Sequence, residues 1–207
     1  MSTARWFDPD QFSEQVAARK LVAPKSRVAL GLALGTNCGV AIGLVSPGRP
    51  FLLEGRPLYL GQWDLSAAAY DSGSIRFLKL RHLLTAVNPD FIFFENVVYT
   101  PPQAAFGLKS IGAVLARAMP AAEFIGALKG TLCCWAEEAG VPCAGLPIGA
   151  IKRRATGRGN ANKSEIITAC NAELGTSMDA ETYATTGVDN IADAAFCLLL
   201  GLEQFGA

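Results

Sequence analysis

The apolar positions fall into short blocks whose spacing changes along the chain. Val28 to Leu34 is a continuous apolar run that stops at Gly35-Thr36-Asn37, and a second run starts at Gly39. This reads as a strand over 28–34, a tight turn and a returning strand over 38–46. The turn "SPGRP" then leads to a third strand expected over 51–60. From Ser74 to Val87 the spacing becomes helical, at Ile75, Leu78, Leu80, Leu83 and Leu84. Asn88-Pro89 ends that helix, and "DFIFFENVVY" reads as a buried strand. Helical patterns follow over 102–118 and 123–139, then a short strand in "VPCAGLP". Next come the glycine-rich basic stretch "KRRATGRGNANK", a helix over 164–174, a polar loop over 175–187 and a strongly apolar helix over 190–204. Near the start, Asp8-Pro9 with Gln11 has the form of an N-cap, an N1 proline and a capping-box partner, which predicts a helix over 9–20. The order is three strands, helix, strand, helices, strand, helices. It predicts an α/β fold with a five-stranded mixed sheet, three antiparallel strands followed by two parallel ones, flanked by helices.

Composition narrows the chemistry. The 207 residues suffice for one domain with a sizeable core. Half of them are hydrophobic and 17% charged, which is the balance of a globular protein. No apolar run is long enough to span a bilayer and the first residues lack a signal-peptide core, so a cytoplasmic location is expected and no membrane partner. The six cysteines form no C-x-x-C pair and sit mostly in apolar segments, as buried reduced thiols do. The single histidine, His82, lies in a helical pattern and reads as a surface residue. Catalysis would therefore have to rest on carboxylates.

Three acidic positions stand out. Glu95 follows "FIFF" inside a run that should be buried, where a lone carboxylate costs several kcal/mol unless paired or bound to a cation. In "VDNIADAAFCLLLG", Asp189 and Asp193 are four apart on one helix face, with Asn190 on the same side. Asp189 also suits an ordinary first-turn position. Like charges at this spacing repel, and a divalent cation between them would relieve that. Ala33 is the oddity: a weak strand former near the end of the first strand, with leucines on both sides. An aspartate there would complete a set of carboxylates able to hold two magnesium ions, the arrangement that hydrolyses phosphodiesters.

These motifs, in this order, resemble the RuvC-type Holliday junction resolvases of the ribonuclease H-like nuclease superfamily. The family's first strand ends in D-x-G-T, here Ala33-Leu34-Gly35-Thr36. Its second acid follows a hydrophobic strand, as Glu95 does, and a lysine- and glycine-rich segment matches "PIGAIKRRATGRGNANKSEI". A closing helix with paired acids matches "DNIADAA". The likeness runs from Val28 to Leu202, leaving residues 1–27 as an appended segment with a short helix and 28–207 as the nuclease-like domain. It implies two magnesium ions per site, with manganese as a substitute, held by Glu95, Asp189, Asp193 and the residue at position 33. It also implies paired symmetric nicks in four-way DNA junctions, made by a homodimer; the helices over 102–118 and 123–139 are the expected interface. The departure is Ala33, which removes the first ligand. An engineered change of aspartate to alanine, made to trap a substrate or reduce toxicity, explains an otherwise intact site more simply than gradual decay, which would erode Glu95 and Asp193 as well. A natural, catalytically dead binder of branched DNA is the alternative. A nuclease acting on flaps or replication forks is another.

For DNA, the stretch between Ala139 and Ser164 has no acid but carries Lys152, Arg153, Arg154, Arg158 and Lys163. This suits sequence-independent phosphate binding, and by resemblance Lys152 and Lys163 approach the scissile phosphate. Tyr99 and Phe106, in the segment after Glu95, are candidates to stack on an unpaired base. The D-x-G-T turn also occurs in sugar kinases and the actin and Hsp70 group, but the chain lacks the second such turn that those proteins need. Between a bacterial recombination enzyme and a phage genome-processing one, the divergence from bacterial forms and the N-terminal extension lean toward phage, which would put the protein in the host cytoplasm.

Overall fold

The computed structural model describes residues 5–6, 27–45, 58–98 and 108–205, with the backbone alone for 5–6 and 108–121. Its strands are β1 (Arg5–Trp6), β2 (Arg27–Ala33), β3 (Asn37–Val45), β4 (Leu58–Asp64), β5 (Phe91–Asn96) and β6 (Cys143–Pro147). The helices are α1 (Ile75–Val87), α2 (Leu108–Ala139), α3 (Ile148–Thr156), α4 (Lys163–Leu174), α5 (Tyr183–Thr186) and α6 (Val188–Phe205). They build one mixed sheet of order β1-β4-β3-β2-β5-β6. The strands β2, β3 and β4 pair antiparallel, while β5 and β6 add parallel to β2. This is the ribonuclease H-like α/β arrangement, with the two-residue β1 added parallel to the outer edge of β4.

Helices cover both faces of the sheet, and β2 shows how its sequence serves both. Val28, Leu30, Leu32 and Leu34 point to one side and pack with Leu80, Leu84, Leu128, Leu132 and Trp135 from α1 and α2. Ala29 and Ala33 point to the other side and pack with the residues of α6. Gly31 shares the Ala29 and Ala33 face by strand alternation. A side chain there would lie 2.5 Å from the Ala194 carbonyl oxygen and 2.7 Å from Leu198 Cβ. A methyl on Gly39, the β3 residue paired with Ala33, would lie 1.9 Å from the Asn190 carbonyl oxygen. The small residues therefore let α6 lie directly on the sheet. The leucines beside Ala33 belong to the opposite layer, so alanine here continues the small face of the strand.

Some elements differ from the sequence expectation. The third strand, described from Leu58, runs on to Asp64, past the expected end at 60; Gly61 and Gln62 interrupt its apolar pattern, but pairing to β3 holds them in the ladder. Residues 102–118 and 123–139 were expected as two helices, whereas α2 is continuous from Leu108 to Ala139 and passes through Pro120. Proline forgoes one helical hydrogen bond, and a helix of this length keeps enough others on either side. The first part of the basic stretch is helical: Lys152, Arg153 and Arg154 lie on α3, which is capped by Gly157 in the left-handed region (φ 77°). Within the loop expected over 175–187, Tyr183–Thr186 forms a single helical turn. Cys134 is exposed and Cys133 and Cys143 half-buried, against the expectation of six buried thiols; all six cysteines are free. Burial pushes the Cys38 and Cys170 thiols up to about 12, which keeps them protonated and unreactive. His82 is exposed on α1. The expected helix over 9–20, the turn "SPGRP", the 51–57 part of the third strand, Tyr99 and Phe106 lie outside the described residues. No helix among the described residues is long and apolar enough to cross a membrane.

Candidate active site

Register puts position 33 beside Glu95. In the parallel pair β2–β5, Gly31 is opposite Phe93 and Leu32 opposite Phe94. Side chains alternate, so Ala33 and Glu95 emerge together on the α6 face, one step past the last registered pair. Over them passes the start of α6, whose first turn carries Asp189 and Asn190 and whose second turn carries Asp193. Five of the residues singled out by sequence thus meet at one end of the sheet.

Two amide side chains fix that helix turn. Gln62 Nε2 on β4 donates to the Thr186 carbonyl oxygen at 3.1 Å and to that of Gly187, the residue just before α6. Asn190 Nδ2 donates to the Asn37 carbonyl oxygen at 2.9 Å, tying α6 to the start of β3. Asn190 therefore works as a clip in this structure. Gln62 was not anticipated, and neither were Gly31 and Gly39 as docking positions. A sequence signal for the glycines existed, since glycine inside a strand marks the close approach of another backbone. A lone glutamine on a strand carries no such signal.

The cations come from α3 and α4. Lys163 is the first residue of α4, whose start is set by a capping box between Asn162 and Glu165. Its ammonium donates to Asp189 Oδ2 in a close ion pair. Asp189 is 5% exposed, so this pair supplies the partner a buried carboxylate requires. Burial opposes the charge on Lys163, but the Asp189 hydrogen bond and charge outweigh it and hold the ammonium above its ordinary pKa. Lys152 Nζ donates to the Ala161 carbonyl oxygen at 2.8 Å, which anchors it near the same carboxylates.

The remaining two acids are short of positive charge. Burial pushes the Glu95 carboxyl up; Lys163 and Lys152 oppose this, and Asp189 adds to it. Burial, then the nearby Glu95 and Asp189, push Asp193 up to about 7, with Lys163 and Lys152 opposing. The carboxylates therefore sense one another. Among the described residues, however, no group of three or more His, Cys, Asp or Glu side chains stands as a set able to hold a metal ion. Ala33 offers no oxygen, Asp189 is engaged by Lys163, and the donor set present does not fit a two-ion centre.

The arginines divide. Arg154 binds Glu203 through Nε (2.7 Å) and Glu173 through Nη2 (2.7 Å), and its guanidinium lies over Phe196. It ties α3 to α4 and α6, which is a packing role. Arg158 is paired with Glu165 at 2.5 Å. Arg153 is exposed and makes no ion pair among the described residues.

No protein-family model matches the chain, and no curated protein matches it. Solved structures do. The structure described as T. thermophilus RuvC in complex with Holliday junction substrate matches at 18% identity and a TM-score of 0.58, covering 86% of this chain and 94% of the other. A second Thermus thermophilus RuvC structure matches at 18% identity and a TM-score of 0.53, covering 86% and 96%. Likeness at this identity is likeness of fold, and it runs through nearly all of the RuvC chain.

Proposed function

We propose that the protein is a RuvC-type binder of four-way DNA junctions whose cleavage chemistry is disabled at position 33. One observation carries this reading: in a RuvC-like fold, position 33, Glu95, Asp189 and Asp193 gather at one sheet end with Lys152 and Lys163 beside them. The lysines and the exposed Arg153 suit phosphate contacts that do not depend on sequence, and the likeness of fold to a RuvC bound to a Holliday junction substrate favours branched DNA as the ligand. Lys163 is assigned to the scissile phosphate, with Lys152, Arg153 and Arg158 supporting it and Tyr99 or Phe106 stacking on a base at the crossover. A junction is nearly two-fold symmetric, so a homodimer places one such site on each of two strands.

With aspartate at position 33, Glu95, Asp189 and Asp193 would gain the oxygen donor that two magnesium ions need, and the enzyme would be an endonuclease making paired nicks. The decisive experiment compares this chain with Ala33→Asp on a synthetic four-way junction in magnesium. Ala33→Asp is expected to make paired symmetric nicks, and the parent chain to be slower by about 10³–10⁵, equivalent to about 4–7 kcal/mol of barrier. Tight junction binding by both forms with no cutting would mean a pure binding module. Equal binding of flaps, forks and junctions would replace the junction by branched DNA in general. Absence of binding to any branched DNA would end the proposal.

A further inference from the structure

The charge balance at the carboxylate centre leads to a second conclusion, which rests on reading that centre as the DNA-facing site. The α6 face presents three carboxylates, Glu95, Asp189 and Asp193, against two ammonium groups, Lys152 and Lys163. Asp189 is the most buried of the charged residues described, and a buried carboxylate left unpaired is strongly destabilising. Its partner in this structure is Lys163. Three features hold that ammonium in place. The Asn162–Glu165 capping box sets where α4 begins, so Lys163 always occupies the first helical position. The Lys163 ammonium also lies 5.7 Å from the centre of the Tyr183 ring, a second favourable contact for a cation. The neighbouring Asn190 amide is directed to the Asn37 carbonyl and does not compete.

We infer that Lys163 is a built-in counter-ion that takes the place a divalent cation holds in a two-metal centre, so that this chain folds and engages DNA without divalent ions. An ion approaching Asp189 would have to displace the ammonium, and the two charges repel at contact distance. With alanine at position 33 no further oxygen compensates for that loss. Position 33 thereby decides between two neutralisation schemes for the same acids, one by lysine and one by metal.

The test uses the full chain without DNA. Melting midpoints are compared in chelator and in millimolar magnesium for the parent, Lys163→Met and Lys163→Arg. The parent and Lys163→Arg are expected to melt at the same temperature in both buffers. Lys163→Met is expected to melt lower in chelator and to regain about 2–4 °C in magnesium, because a ligand that binds only the folded state stabilises it. A magnesium-dependent rise in the parent overturns the inference, and so does an ion-indifferent Lys163→Met. Should Lys163→Met fail to fold, titration of the parent with manganese followed by electron paramagnetic resonance decides the matter. All the manganese should stay free; uptake of one or two ions per chain overturns the inference. No DNA is present in these measurements, so their failure is separable from a failure of junction binding.

Discussion

The two faces of the sheet are built on opposite principles. On the α1 and α2 face, β2 and β3 present Leu30, Leu32, Val40 and Ile42 to Trp135 and leucines from the helices, and burial of large side chains supplies the cohesion. On the α6 face, the same strands present Ala29, Gly31, Ala33 and Gly39, and a helix backbone sits directly on them. The first face is the more tolerant, because large apolar side chains dominate its packing. The second is intolerant, because close approach brings Asp189 and Asp193 onto the sheet beside Glu95. A site that must hold carboxylates in fixed relation benefits from a helix that cannot shift on long flexible side chains. The difference shows that the small residues of β2 and β3 are part of the site's construction as much as the acids are.

The comparison can be broken from either side, by opposite kinds of substitution. Leu30→Ala empties space in the α1 and α2 layer and is expected to lower stability by about 2–5 kcal/mol. Gly39→Ala adds a methyl that would sit 1.9 Å from a backbone oxygen of α6. That oxygen cannot yield unless the helix moves, so a loss of about 1–3 kcal/mol is expected despite the small change in volume. Denaturant unfolding of both variants measures the losses. In the Ala33→Asp background, cleavage separates them further. Leu30→Ala should leave the rate per folded molecule nearly unchanged, whereas Gly39→Ala should depress it, since it displaces Asp189 and Asp193. Equal effects on cleavage would mean that the close helix contact has no bearing on the site.

Acidity distinguishes the faces more gently. Burial and neighbouring acids raise Asp193 to about 7, well above its value in the unfolded chain, and Glu95 is raised in the same sense. Between the unfolded carboxylate range and about pH 7, the folded state binds more protons than the unfolded state. Stability therefore falls as pH rises through this window and levels off above it. Asp193→Asn should flatten that decline and make the protein more stable than the parent at pH 8, as read from melting midpoints across pH. A parent curve that rises from pH 4 to 7 with the same slope in Asp193→Asn would remove Asp193 as its origin.

How much of this was legible in the sequence follows from which interactions are local. Strand alternation, helix period and the Asn88-Pro89 stop are encoded within a few residues, and they place β2, β3, α1, β5, α4 and α6 close to where they lie. The acids could be singled out because a carboxylate inside an apolar run is costly wherever it lands. The role of Ala33 was only half visible. Its departure from the D-x-G-T pattern is a sequence fact, but its membership of a small-residue face appears only when β2 is paired and α6 is laid across it. Gln62 and Asn190 act over more than a hundred residues of separation, through backbone carbonyls that any residue possesses. Such contacts leave no mark on residue type. Lys163 could be read as a DNA contact from its basic neighbourhood, but its partnership with Asp189 depends on where α4 begins relative to α6.

The smallest expected effect separates two adjacent arginines that look interchangeable in "KRRATG". Arg154 spends its guanidinium on Glu173 and Glu203 and is packed over Phe196, so Arg154→Gln should cost stability and leave junction binding nearly unaltered. Arg153 is exposed on the same helix without an ion pair among the described residues, so it is the one free to meet a phosphate. Neutralising it as Arg153→Gln should leave the melting midpoint unchanged. It should also weaken binding uniformly across junction sequences and reduce the slope of log affinity against log salt by about one. Gel-shift titrations of the parent and both variants at several salt concentrations measure this directly. If the slope falls for Arg154→Gln instead, its two carboxylate partners must release it on binding, and α3 would meet DNA through the face that now packs against α4 and α6.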